Sequence, residues 1–310
     1  MKSKLFSIFI ALFVFLFGMT ACSKSATQGT MVNAVASTTI VGDVVKQIGG
    51  DRIQLTVLFP VGADPHTFEP RPQDAAAIAD ADILFLNGLE LEHSLEPVIE
   101  SNASGKVVEV SDGVDVLAFT ESHHDEDGEE GHDHAAGDPH TWTDPNMVMV
   151  WVENIKTELS AIDPENAAYY ETNAENYLTQ LTDLDAWIRE EVANIPVENR
   201  KIVTDHESLG YFIQRYGFSL SGLVVDSLST NASPSAQELS ALEDSIKTQN
   251  VKAVFIGSTV NPALAEQVAN DTGVQLVTIQ VASLGDEGSD TDTYIQYMKT
   301  LVNAIVNGLQ

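Results

Sequence analysis

The sequence predicts an α/β protein built as two lobes, each a parallel sheet flanked by helices, joined by one long backbone helix and leaving a cleft between the lobes. Three features carry that expectation. Short runs rich in β-branched residues, each closed by turn chemistry, alternate with helix-like stretches, which is the pattern of a parallel sheet covered by helices. The alternation occurs in the first half of the chain and again in the second, without residue-level repetition. Between the halves lies one uninterrupted helical stripe of apolar residues.

In the first half, strands are expected at "VNAVAST" (32–38), "IQLTVLF" (53–59), "DILFLNG" (82–88) and "KVVEVSD" (106–112), with helices such as "TIVGDVVKQIG" and "RPQDAAAIADA" between them. In the second half they are "KIVTD" (201–205), "LSGLVVD" (220–226), "VKAVFIG" (251–257) and "VQLVTIQ" (274–280), separated by "SAQELSALEDSIKTQ" and "NPALAEQVANDTG". The joining helix begins with Asp163 as cap and Pro164 at the first helical position. Its apolar residues Tyr170, Ala174, Tyr177, Leu181, Leu184, Ile188 and Val192 recur at steps of three and four. About 30 residues at ~1.5 Å each make a rod of roughly 45 Å, long enough to pack along both lobes. The expected organisation is a lobe over 32–160, the joining helix over 161–196 and a second lobe over 197–310.

Residues 1–22 read as an export signal: Lys2 and Lys4, an apolar run over 5–17 too short to span a bilayer, then small residues ending at Cys22. "MTAC" resembles a bacterial lipobox, with Met19 where leucine is more usual, so Cys22 is the expected lipidation site; cleavage near Ala21 of a plain secreted protein is the alternative. Residues 23–31 read as a polar tether. Cys22 is the single cysteine, so the mature body has no disulfide. The net charge of −31, from 46 acids against 15 bases, repels phosphate backbones and excludes nucleic acid as a partner. The same charge concentrates cations.

Histidine placement sharpens this. The stretch "HHDEDGEEGHDH" (123–134) holds His123, His124, His132 and His134 among six carboxylates, a composition that suits divalent metal. The surrounding segment 119–137 has almost no apolar residue and is expected to be disordered without metal. Three other histidines sit just past strand ends or in loops: His66 in "ADPHTF", His140 in "GDPHTW" and His206 in "TDHESLG". Ligands of open α/β sheets bind outside the carboxyl ends of the strands, so these three are placed to converge on the cleft. Asp64, Asp138, Asp144, Asp205 and Glu207 lie nearby and could hold the second ring nitrogen of a metal-bound imidazole. His93, in "LELEHSLEP", reads as a surface or cleft-rim residue on a helix.

"VGADPHTFEPRPQDAAAIADADILFLNGLELE", "DPHTWTDPNM", "TDHESLGYFIQRYGF" and "DTDTYIQYMKTLVNAIVNGL", in that order and over nearly the whole mature chain, resemble the substrate-binding lipoproteins of bacterial zinc/manganese ABC uptake systems, the cluster A-I (cluster 9) family. The resemblance implies two α/β lobes joined by a backbone helix, a metal held between them by His66, His140 and His206, and a His-rich mobile loop at 123–134. It also implies a membrane permease and a cytoplasmic ATPase as partners, a lipid-anchored extracytoplasmic location on the cell surface or in the periplasm, and a monomer. Manganese-type members of the family, and some zinc-type ones, supply an aspartate as fourth ligand from the end of the last strand; Ala282 stands there. Water, Asp286 or Glu287 from the following loop, or a residue of the tract, remain as candidates for the fourth position.

Three imidazoles and the missing aspartate point to Zn2+ as cargo, with Mn2+ the lesser choice, and His206 stands where manganese-type members usually carry glutamate. A zinc-dependent hydrolase with Glu207 as general base is the rival class. "HESLG" lacks the second histidine of H-E-x-x-H and no nucleophile constellation is present, so no enzyme is expected. A primary role as adhesin would use the tether but not three strand-end histidines. If the strand-end histidines form the site, deleting residues 121–137 leaves one tight metal equivalent, counted by titration against a chelating indicator. Loss of tight binding would move the site into the tract.

Overall fold

A computed structural model describes residues 31–118, 137–225 and 234–310. The export signal, Cys22, the tether up to residue 30, and His123, His124, His132 and His134 lie outside the described residues, as does residue 226 at the end of one expected strand.

All eight expected strands form, in two sheets. β1 (Val32–Ala36), β2 (Ile53–Val57), β3 (Ile83–Leu86) and β4 (Lys106–Glu109) pair in the order β2-β1-β3-β4, all parallel. β5 (Lys201–Thr204), β6 (Ser219–Leu223), β7 (Ala253–Gly257) and β8 (Gln275–Ile279) pair as β6-β5-β7-β8, again all parallel. The two orders are the same arrangement used twice. In each, successive connections leave the first strand of the lobe toward opposite edges, which opens a crevice at the carboxyl ends.

The helices are α1 (Thr39–Gly49), α2 (Pro72–Asp80), α3 (Glu96–Asn102), α4 (Pro145–Ile162), α5 (Ala167–Ala193), α6 (Gly210–Tyr216), α7 (Ala236–Gln249), α8 (Ala263–Thr272) and α9 (Tyr294–Leu309). Local chemistry explains their starts. Thr38 caps α1 by accepting from the Val41 amide. Ser235 and Glu238 form a reciprocal capping box at α7. Asp144 accepts from the Asn146 amide at the start of α4, with Pro145 at the first position. His93 lies in a short 3-10 turn ahead of α3, exposed and paired with Glu96 at 3.3 Å.

The joining helix opens with a 3-10 turn over Pro164–Asn166 and continues as α5. Asp163 accepts from the Asn166 side chain at 2.7 Å and the Tyr170 hydroxyl at 2.8 Å rather than from a first-turn amide. The buried residues of α5 are the seven of the expected stripe, Tyr170 through Val192. They pack against α4, α1 and α9, so elements of both lobes lean on one rod.

Side-chain alternation along the strands sorts the core into three parts. Ala34, Ala36, Ile83 and Phe85 of the first sheet, and Ile202, Ala253 and Phe255 of the second, face a common core built around α5. Val35, Leu84 and Leu86 face a private core with α2 and α3. Val203, Val254 and Ile256 face another with α7 and α8. Among the described residues no helix is long and apolar enough to cross a membrane.

Because one core serves both sheets, the lobes should unfold together. Leu181→Ala or Leu184→Ala, each within 1% of full burial, is expected to cost about 2–5 kcal/mol. Urea denaturation should show a single lowered midpoint. Two separated transitions would show that the lobes are independent.

Candidate metal centre

All strands but β7 end one to three residues earlier than their β-branched runs suggest. His66 lies on the loop between β2 and α2, His140 on the segment leading into α4, and His206 two residues beyond β5. Their ring nitrogens come together: one ligand atom from each lies within 4.8 Å of the others. The His66 and His140 Nε2 atoms are 3.2 Å apart, and the three ring centroids are separated by 5.2, 5.5 and 5.9 Å. Two of these side chains come from the first lobe and one from the second.

Carboxylates orient two of the rings. Asp138 Oδ1 accepts from the His140 amide at 2.9 Å and faces His140 Nδ1 at 2.7 Å. Asp205 Oδ2 faces His206 Nδ1 at 3.0 Å. An ionised carboxylate only accepts, so each Nδ1 carries the proton and each Nε2 lone pair points to the shared centre. Asp64 Oδ1 accepts from the His66 amide at 3.0 Å and shapes the loop. Asp144 caps α4 and pairs with Arg215 of the second lobe at 2.6 Å. Neither Glu207, Asp286 nor Glu287 joins the cluster; Asp286 and Glu287 are exposed.

The centre is buried: His140 is 1% and His206 6% exposed. Burial, then the neighbouring His140 and His206 rings, push the His66 imidazole well below its ordinary value of 6.5. It therefore stays neutral, with its lone pair available, at physiological pH. Burial acting alone would raise the Asp205 carboxyl, but the hydrogen bond and charge of His206, helped by Thr204, hold it below the usual carboxylate range.

Several supporting groups carried no signal in the sequence. Trp142 stacks edge-on against His140 at 5.2 Å and donates its indole N–H to the Val281 carbonyl of the second lobe at 2.8 Å. Tyr211 of α6 donates to the Asp138 carbonyl at 2.7 Å. Gly210 is needed for that approach, because a β-carbon there would lie 2.5 Å from Asp138 Oδ2. Glu92 is buried at the carboxyl ends of β1 and β3, where it accepts from Ser37 Oγ and from the amides of Asn87 and Gly88. Asn87 in turn donates to the Pro139 carbonyl at 3.0 Å, next to His140. The acidic run "LELE" marks where Glu92 lies but gives no sign that this one carboxyl is the buried member.

The chain matches, over residues 34–308, the family described as zinc-uptake complex component A, periplasmic. It is 38% identical to the manganese-binding lipoprotein MntA of Halalkalibacterium halodurans, over 91% of this chain and 90% of that protein. The chain belongs to this family. It is an extracytoplasmic, metal-binding lipoprotein receptor of an ABC uptake system and not an enzyme, and membership of the family implies a cognate permease with its ATPase as partners. The receptor is also 31% identical, over 97% of each chain, to the manganese ABC transporter substrate-binding lipoprotein PsaA of Streptococcus anginosus. Among solved structures, the Mn-bound periplasmic metal-binding protein of Candidatus Liberibacter asiaticus superposes with a TM-score of 0.78 at 26% identity, covering 90% of this chain and all of that one. The periplasmic zinc-binding protein TroA of Treponema pallidum superposes at 0.79, also at 26% identity, covering 90% and 99%.

These relatives overturn the expectation that Zn2+ is the metal: manganese is named for both sequence relatives and for the bound state of the first structure. The physical reason lies in the argument from donors. Imidazole count ranks affinity, and by that ranking copper and zinc exceed manganese at nearly any nitrogen site, so the count does not say which ion a receptor carries.

Glu92 offers a test of the first-lobe framework. Burial lifts its carboxyl from 4.5 to about 7, against the lowering effect of Ser37 and the two amides. The folded state then binds the proton more tightly than the unfolded chain between those values. Stability from this group is present below about pH 4.5 and is lost as pH rises through about 7. Glu92→Gln removes that slope. Urea denaturation at pH 4.5 and 7.5 should show the variant gaining on wild type by on the order of 2–3 kcal/mol as pH rises. A pH-independent difference would contradict the assignment.

Proposed function

We propose that the receptor captures Mn2+ outside the cytoplasm through His66, His140 and His206 and delivers it to its permease. One observation carries the reading: three ring nitrogens drawn from both lobes lie within 4.8 Å of one another, in a chain 38% identical to a manganese-binding lipoprotein. Three imidazoles leave further positions of an octahedral ion for oxygen ligands, the donors that suit manganese. In this reading Ala282 leaves one such position to water.

The mechanism follows from the placement of the donors. His66 and His140 belong to the first lobe and His206 to the second, so an ion bridging them favours the closed arrangement by its differential affinity for it. His66 meets the ion as a neutral ring, without a proton to lose. Asp138 and Asp205 hold the other two rings in the productive tautomer. Cys22, once lipidated, would keep the receptor at the membrane, and the His-rich tract would gather loosely bound ions near the cleft.

Equilibrium titration of the metal-free mature chain with Mn2+, against a fluorescent chelator, tests this. One tight equivalent is expected. His206→Ala should weaken it by at least a hundredfold, and Asp205→Asn by roughly 10–100-fold. A tight manganese equivalent that survives His206→Ala would remove the ion from this cluster. Absence of tight manganese binding in the wild type would end the manganese reading.

A further inference from the structure

The loop between β8 and α9 of the second lobe reaches across to the first and is pinned to it at two points. At one, the Val281 carbonyl accepts from Trp142 Nε1 at 2.8 Å and from the Tyr297 hydroxyl at 2.5 Å. Tyr294 fixes the other side of Trp142 by donating to its carbonyl at 2.7 Å. These groups are aromatic, buried and part of the common core, so this end of the loop is built into the framework.

The other point is different in kind. Ser283 is 3% exposed. Its hydroxyl donates to the Leu284 carbonyl at 2.9 Å, accepts from the Gly62 amide at 2.9 Å and lies 3.3 Å from Thr39 Oγ1. Thr39 Oγ1 also accepts from the Leu284 amide at 2.8 Å. Gly62 belongs to the tight turn Pro60-Val61-Gly62-Ala63, closed by the Ala63 amide on the Pro60 carbonyl at 3.0 Å. Its φ of 78° suits glycine at the third turn position. Gly62 stands four residues before His66, on the same loop. One amide-to-hydroxyl bond, Gly62 to Ser283, therefore joins the second lobe to the loop that carries His66, and Thr39 at the start of α1 ties the same segment to the first lobe, with no packed ring involved. Such contacts are short-ranged and directional, so they are lost whole when the lobes part.

We propose that Ser283 is a positioning residue, a latch that ties the β8–α9 loop to the His66 loop and sets how long a bound ion is retained. The latch rests on the reading of the cluster as the metal site. It acts through His66 rather than on the ion. With the latch made, His66 is held at the distance the other two rings require. With it open, the His66 loop can swing away while His140 and His206 keep their carboxylate partners. Ion escape then begins with loss of this one donor. Capture precedes latching, so association depends little on Ser283, whereas dissociation depends on it directly.

The test uses the mature chain loaded with Mn2+ and, separately, with Cd2+, and stopped-flow release to excess chelator. Ser283→Ala should speed dissociation roughly tenfold, equivalent to about 1.4 kcal/mol, with association within about twofold of wild type. Thr39→Val, nearly isosteric, removes the hydroxyl from the opposite lobe and should give a similar acceleration. The double variant should be little faster than either single one, because both hydroxyls belong to one device. In the metal-free protein, amide exchange at Gly62 should quicken in Ser283→Ala, a readout independent of any ion. Dissociation within twofold of wild type in both single variants overturns the latch, as does slowed association with unchanged release, or strictly additive effects in the double variant. Ser283-dependent release of Cd2+ with no tight Mn2+ binding would sink the manganese reading and leave the latch standing.

Discussion

The structure depends on one constraint: both sheets bury their inner faces in a single core around α5. Apolar residues at steps of three and four give that helix one continuous face. Strand residues of period two, such as Ile83 and Phe85 in the first lobe and Ala253 and Phe255 in the second, reach the same core from either side. Burial of apolar area is non-directional, and close-packed interiors resist sliding. The carboxyl ends of the two sheets are therefore held facing each other at a set separation, and loops leaving those ends meet without further guidance.

Within that frame the centre is built from polar groups that would be costly elsewhere. Burial, and then the neighbouring His140 and His206 rings, disfavour protonation of His66. The compensating carboxylates sit behind the rings rather than among them, at Asp138 and Asp205. Lone pairs then face inward and negative charge stays one bond further out, an arrangement suited to a cation that arrives and leaves. The −31 net charge draws cations to the surface in general; the inward nitrogens are what make one spot different from the rest.

Contacts between the lobes fall into two grades. Trp142 to Val281, Tyr294 to Trp142 and Tyr211 to Asp138 join large buried rings to backbone carbonyls. Ser283, Thr39 and Gly62 join hydroxyls and an amide with no ring involved. A receptor has to hold its cargo and also release it, and a stiff joint beside a light one allows both with modest movement. Arg215 on Asp144 adds a charged tie near the start of α4.

Much of this was legible in the chain itself. Strand periodicity, capping residues and the α5 stripe are local properties, set by backbone sterics and by which side chains water rejects, so they can be read residue by residue. The two "DPH" triplets and "TDH" likewise marked His66, His140 and His206, because strand ends in α/β sheets face the crevice. What the chain could not disclose is which of several nearby acids turns to a ring and which pairs elsewhere. Asp138 and Asp205 face ring nitrogens while Asp144 caps α4 and pairs with Arg215; Glu92 is the buried acid of a run of four residues; Asp286 and Glu287 are exposed. Nor does a donor count name the ion, because affinity order is common to most nitrogen sites. Periodicity determined the lobes and the rod, and placement past strand ends marked the three histidines; only the packed structure decided which acids face the rings and which ties close the cleft, because the ties join residues more than a hundred positions apart and the choice of acid follows from how the loops pack.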